Sequence, residues 1–284
     1  MLNKGGLRSV ILSVMIFWLV AFILLPHMLI LIASFLENDD SNFFRFVFTL
    51  ENYSRIFSST YLHIFYNSFL IAGIVTFLCL MLGYPCAYML SCSTPFKKNM
   101  LVLLLIIPFW TSTLVRTYSL MILLRTKGVI NELLLWVGVI DAPLELLYNW
   151  AAIILGLVYS LLPFMVLPLY SVLEKLEKKY IEAAQDLGAN RFNLFFKIII
   201  PLSMPGIVAG CMLVFLPALG MFYVPDLLGG AKDILLGNLI RNQFFVARNW
   251  PFGAALSILF TVVIALMLIV HFKTAKQSNR QVEV

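Results

Sequence analysis

Six long apolar runs, sparse charge and a lopsided distribution of basic residues predict an all-α integral membrane protein with six transmembrane helices in one domain, 1–284. Apolar residues make up 62% of the chain and charged residues 12%, and the mean hydropathy is +0.96. That composition lies outside the range of soluble globular domains. A hydrocarbon core of about 30 Å takes roughly 20 helical residues to cross, and each run supplies them. The runs are continuous rather than alternating, so helices and not barrel strands are the spanning form.

In order, the runs cover 10–36, 65–90, 100–124, 151–173, 206–228 and 252–272. Lys4 and Arg8 precede the first as they would in a signal peptide. Its length and the lack of a small-x-small cleavage site make it a retained span instead. One set of loops and termini collects twelve Lys and Arg against five acids, and the other set seven against nine. Basic residues favour the cytoplasmic side, so both termini are expected there. The net charge of +6 is then a topology signal and not a nucleic-acid surface.

Cys79, Cys86, Cys92 and Cys211 form no CxxC pair and sit in or beside apolar runs, as small core residues do. His27, His63 and His271 are scattered, so no metal-ligand cluster is expected. The loop 37–63 carries Phe43, Phe44, Phe46, Phe48 and Tyr53, which predicts packing at the membrane interface. In 125–149, Ile130 to Trp136 has the pattern of a short amphipathic surface helix, with an ordered loop as the alternative.

The loop 174–204 is the conspicuous polar insert. Residues 174–191 are rich in helix formers and contain no proline. Gly188 follows Asp186 and Leu187, where a left-handed residue ends a helix, and Asn190 is placed to cap the next. Two short helices at an angle are expected, the first presenting Ala183 and Ala184 to a partner's groove with Glu182 to orient it. Pro201, Pro205 and Gly206 suit the start of the fifth span. Alternatively, the loop is an amphipathic connection on the inner leaflet, held by Lys175, Lys178 and Lys179.

Glu182-Ala183-Ala184, then Gly188, then Ile198, Ile200 and Pro201 resembles the cytoplasmic loop motif of ABC importer permeases, with Ile200 where Leu is usual. Pro108 to Ser112, Leu114 to Tyr118, Gly128 to Asn131 and Asp226 to Gly230 are similar to the spermidine/putrescine members of that family, and the likeness covers nearly the whole chain. The resemblance implies a type I ABC importer permease (MetI-like) fold. It assigns ATPase coupling to Glu182, Ala183, Ala184, Asp186 and Gly188. The implied partners are a homologous second permease chain, two copies of a cytoplasmic ATPase that bind ATP and Mg, and a periplasmic polyamine-binding protein. The chain itself would carry no cofactor and work by alternating access in the bacterial inner membrane.

A polyamine path needs carboxylates for the ammonium groups and aromatic faces for both charge and methylenes. Asp226, after Tyr223, is the nearest carboxylate to a span, near the expected outer mouth; it could equally cap a helix or pair with Lys232. Trp110 precedes a polar run, Thr111 to Thr113, and is a candidate cation-π wall or else a core tryptophan. Tyr118, eight residues on, would share its helical face. Trp18 and Tyr53 could line the mouth but also suit packing. Tyr159 lies in a small-residue stretch with Gly156 and Ser160 that allows close helix approach, and Pro163 and Pro168 are expected to bend the same span. Arg116 would repel a cation and is read as an interfacial anchor.

Two other classes fit less well. An ion-coupled secondary transporter needs intramembrane acids, which these runs lack. A membrane enzyme needs a clustered catalytic set, which the three separated histidines do not give. No GxxxxGKS/T motif is present, so hydrolysis belongs to another chain.

Overall fold

The computed structural model describes residues 4–39, 43–230 and 234–282. In chain order these form α1 (Lys4–Leu19), a π-helical turn (Val20–Leu24), α2 (Leu25–Ala33), β1 (Leu36–Glu37), β2 (Arg45–Phe48), α3 (Glu51–Ile56) and α4 (Ser59–Ser91). Then come α5 (Pro95–Ile106), a 3-10 turn (Ile107–Trp110), α6 (Thr113–Leu124), α7 (Val129–Trp136), α8 (Trp150–Leu173), α9 (Lys178–Asp186) and α10 (Arg191–Leu194). A second π turn (Phe195–Ile199) leads into α11 (Ile200–Gly220), followed by α12 (Tyr223–Leu228), α13 (Leu236–Phe245) and α14 (Trp250–Val282).

Five helical stretches are long and apolar enough to cross a membrane. A sixth crossing requires Pro95–Trp110 and Thr113–Trp136 to count as one span, and the two meet at 91°. This corrects the continuous third run, 100–124. Pro108 has no amide to donate, Thr111 takes an extended backbone, and its Oγ1 donates to the Pro108 carbonyl at 2.8 Å. The amphipathic segment after it does form a helix, α7.

Two prolines are absorbed by the same device. In each case a five-residue π turn stands one residue ahead of the proline, before Pro26 and before Pro201. Leu25 N–H bonds to the Val20 carbonyl and Ile200 N–H to the Phe195 carbonyl, five residues back. The wider turn accommodates a ring that would clash with, and leave unpaired, the carbonyl four residues earlier. Helix therefore runs unbroken from Arg191 to Gly220. The fifth span starts earlier than 206 and Pro205 lies inside it, correcting the expected helix start; residues 223–228 are a separate helix.

The chain divides into two compact units, residues 1–63 with 239–284 and residues 64–238. In the first, α14 packs on α2 and α3. Phe252 is fully buried there, with the Arg55 guanidinium 4.5 Å over its ring and Tyr61 at 5.0 Å. Asn52 Nδ2 donates to the Ser34 and Leu36 carbonyls, tying α3 to the end of α2. The loop 37–63 is thus a hairpin and a helix. Its Phe46 and Phe48 project outward instead of packing within the chain.

The second unit is centred on α8. Ile153, Leu157, Leu161, Met165 and Leu169 recur every four residues and are fully buried, a stripe down one face. Lipid gives no hydrophobic drive between helices, so the stripe holds by close packing. Met165 is clasped between glycines: a Cβ on Gly83 of α4 would lie 2.9 Å from its Cγ, and one on Gly210 of α11 2.7 Å from its Sδ. Gly156 likewise admits Leu228 of α12, which a Cβ would meet at 2.4 Å. Asn149 caps α8, accepting from Ala152 N–H at 2.9 Å. Pro163 and Pro168 lie within one uninterrupted helix.

Candidate functional site

Of the two short helices predicted in the loop after α8, α9 forms as a separate helix, whereas the second is the first turn of the helix that runs unbroken from Arg191 to Gly220. α9 closes with Gly188 N–H bonded to the Gln185 carbonyl at 2.9 Å and Ala189 N–H to the Ala184 carbonyl at 2.9 Å. That is a Schellman cap, and it needs the left-handed backbone that Gly188 supplies at φ +79°. Asn190 Oδ1 then accepts from Asn193 N–H at 2.8 Å to start α10.

Glu182, Ala183, Asp186 and Gly188 are exposed, as a docking surface requires. Ala184 is not presented: it is 7% exposed, a correction to the expected pair, because its position in the closing turn faces inward. Two exposed apolar residues of the loop lie outside the expected set: Leu187, 90% exposed, and Phe192, which stacks on Phe196 at 6.1 Å. An apolar residue beside a left-handed glycine was the available signal.

The loop is seated on the spans behind it. Phe195 lies edge-on to Tyr84 at 5.6 Å, and the Tyr84 hydroxyl bonds Ser203 Oγ at 2.9 Å. Lys98 Nζ donates to Glu174 Oε1 at 2.8 Å, joining the start of α5 to the end of α8. Lys98 first, then Tyr170, hold the Glu174 carboxyl below the usual carboxylate range.

The pathway candidates separate into groups. Trp110 ends the 3-10 turn, 78% exposed. Tyr118 does not share its helical face as predicted, because the chain turns through 91° between them. Tyr118 and Tyr159 are both exposed, while Tyr223 is half-buried. α12, which carries Tyr223 and Asp226, packs on α6 and α8. Asp226 is exposed, and Asn238 Nδ2 donates to its carboxylate and to the Phe222 carbonyl. Lys232, the alternative partner, lies outside the described residues.

Trp18 and Tyr53 belong to the other unit. Trp18 stacks on Phe22 at 4.2 Å, and the Tyr53 hydroxyl bonds Ser34 Oγ at 2.8 Å, a packing role. Arg116 is not an interfacial anchor. It is buried, its guanidinium 5.5 Å from the Phe109 ring centroid and donating to Thr113 Oγ1 at 3.3 Å, while Phe109 meets Phe164 edge-on at 5.2 Å. Aromatic packing behind the break draws the side chain in, where the sequence pointed to outer headgroups or an acidic loop.

Five or six apolar helical stretches of spanning length and a capped polar loop between two of them define a multi-pass membrane protein. The chain belongs to the family of binding-protein-dependent transport system inner membrane components, whose model matches residues 2–276. It is 49% identical over 276 residues, 97% of this chain and 96% of the other, to the spermidine/putrescine transport system permease protein PotB of Haemophilus influenzae. It is 53% identical over 267 residues, 94% and 97%, to PotB of Escherichia coli K12. A crystal structure of a bacterial alginate ABC transporter contains a chain of the same fold, with TM-score 0.79, 15% identity and coverage of 96% and 95%.

Proposed function

We propose that this chain is the membrane permease subunit of an ATP-driven importer of polyamines, forming half of a pathway that works by alternating access. The observation that carries the cargo is the near-full-length identity of about half to permeases named for spermidine and putrescine. A homologous second permease chain forms the other half, a periplasmic polyamine-binding protein delivers the substrate, and a cytoplasmic ATPase pair binds ATP and Mg. The loop 174–204 faces the cytoplasm with both termini and docks to the ATPase through Glu182, Ala183, Asp186, Gly188 and the Leu187 tip. Ala184 serves by holding the cap.

The ATPase can shift the permease only through contacts that differ between its two states. A tip that is exposed, yet rigidly joined through Phe195 and Ser203 to α4 and α11, is suited to transmit such a difference. In the pathway, Trp110 and Tyr118 offer aromatic faces and Asp226 a carboxylate. Radiolabelled spermidine uptake by the reconstituted complex tests the cargo. ATP-dependent uptake competed by putrescine is expected; uptake of neither polyamine, with another solute carried instead, would remove the assignment.

A further inference from the structure

Arg116 lines a cavity of about 480 Å³ whose other walls are apolar or aromatic, among them Met89, Leu104, Pro108, Tyr159 and Pro163. The side chain is 9% exposed and its Nε has no hydrogen-bond partner. Among the described residues no carboxylate reaches ion-pair distance of it; beside the guanidinium stand the Thr113 hydroxyl, the Phe109 face and Tyr223 of α12, all uncharged. A buried guanidinium so poorly compensated is costly, and in a membrane it marks a site with a missing partner.

Three sources of the missing charge can be weighed. Leu162 and Pro163, which share the cavity, lie at the middle of the 24-residue α8, roughly 18 Å from either end. Lipid phosphates at the surfaces are too far to reach in. This chain's spans supply nothing either: 11–33, 59–91, 95–110, 150–173, 191–220 and 250–269 contain no Asp or Glu, and Asp226, on the α12 helix that packs against α6, is exposed, beyond ion-pair distance of Arg116 and bonded by Asn238. A second copy of the same chain has the same acid-free spans and is excluded with it.

We infer that Arg116 receives an intramembrane carboxylate from a different membrane-spanning chain, at the level of the break between α5 and α6. The inference rests on the proposed second permease chain and adds what that chain must carry: an Asp or Glu in mid-span. It also accounts for a cationic residue in a path proposed for cations. With its counter-charge in place, the site presents no net positive charge to the cargo.

The test is a double-mutant cycle in the co-expressed, co-purified complex. Arg116→Gln, Arg116→Lys and each intramembrane Asp→Asn or Glu→Gln of the second permease are compared singly and in pairs for the amount of second permease retained in detergent. Arg116→Gln is expected to lower retention at least tenfold and Arg116→Lys less than threefold. One acid neutralisation should cost as much alone and add nothing to Arg116→Gln. Losses that multiply for every acid overturn the inference, as does a loss set by phosphatidylglycerol content, which would assign the anion to lipid. So does unchanged retention with a lowered melting temperature of the chain, which would leave Arg116 as an internal clasp. The readout does not involve the cargo; a wild-type complex lacking any second permease would instead defeat the underlying proposal.

Discussion

The loop around Gly188 and the break at Thr111 both interrupt helices, but they keep their shapes by different means. At the loop the geometry is local: a Schellman cap closed within six residues, an Asn190 cap, and a π turn ahead of Pro201. At the break the geometry is distant, since Phe109 leans on Phe164 of α8 and Arg116 folds back over Phe109. A locally encoded element can stand out from the bundle and still be rigid. One held by neighbours must stay among them, which suits a surface that works against the membrane interior.

If the loop alone faces the ATPase, damage at its tip should be the largest and the most confined. Leu187 is almost wholly exposed, so Leu187→Glu leaves the fold intact and is expected to lose about 2 kcal/mol of docking, roughly 30-fold. Co-purification of the ATPase measures it. Retention at the wild-type level would place the contact elsewhere.

The next test separates backbone from side chain. A Cβ at Gly188 would meet no atom within 4 Å, so Gly188→Val acts only through the left-handed backbone, at about 1–2 kcal/mol. Uptake should fall severalfold, and Gly188→Asn should do less harm because Asn visits that conformation. Equal effects of the two would show that the cap is not what positions the tip.

Asp226→Asn probes the other region and should be milder. Losing one exposed charge contact with the cargo is worth about 1 kcal/mol, or roughly a fivefold rise in the KM for spermidine uptake. ATPase retention should be unchanged. A loss of ATPase in this variant would mean that the two regions cannot be told apart by mutation.

The same contrast decides what could be read before any coordinates. Gly188 and Asn190 declared their roles because capping is written in neighbouring residues, and Gly156 declared a close approach because only its own small size was needed. Tyr118 was misplaced because projecting a residue onto a helical face assumes an unbroken helix, and the turn at Thr111 depends on Pro108 together with the packing of Phe109. The burial of Arg116 was hidden for the same reason: its neighbours come from α6, the 3-10 turn and α8. The exposure of Leu187 was legible only as an apolar residue beside Gly188, since the periodicity of 174–191 does not distinguish a tip residue from a packed one.

The smallest effect belongs to the tie between Lys98 and Glu174, which joins the start of α5 to the end of α8 where the loop begins. Lys98 holds the Glu174 carboxyl below its ordinary value, so the folded state binds that proton less readily than the unfolded chain does. The resulting stabilisation is fully present above the unfolded pKa, near 4.3 for a free glutamate, and disappears as pH falls through the lower folded value. Glu174→Gln should therefore lower the melting temperature of the detergent-solubilised complex by a small, constant amount from pH 8 down to about pH 5.5. Below the ordinary carboxylate range the wild-type advantage should shrink towards zero. A difference that already vanishes between pH 6 and 7 would mean that Glu174 titrates above its ordinary value, and that the Lys98 contact does not hold in the assembled protein.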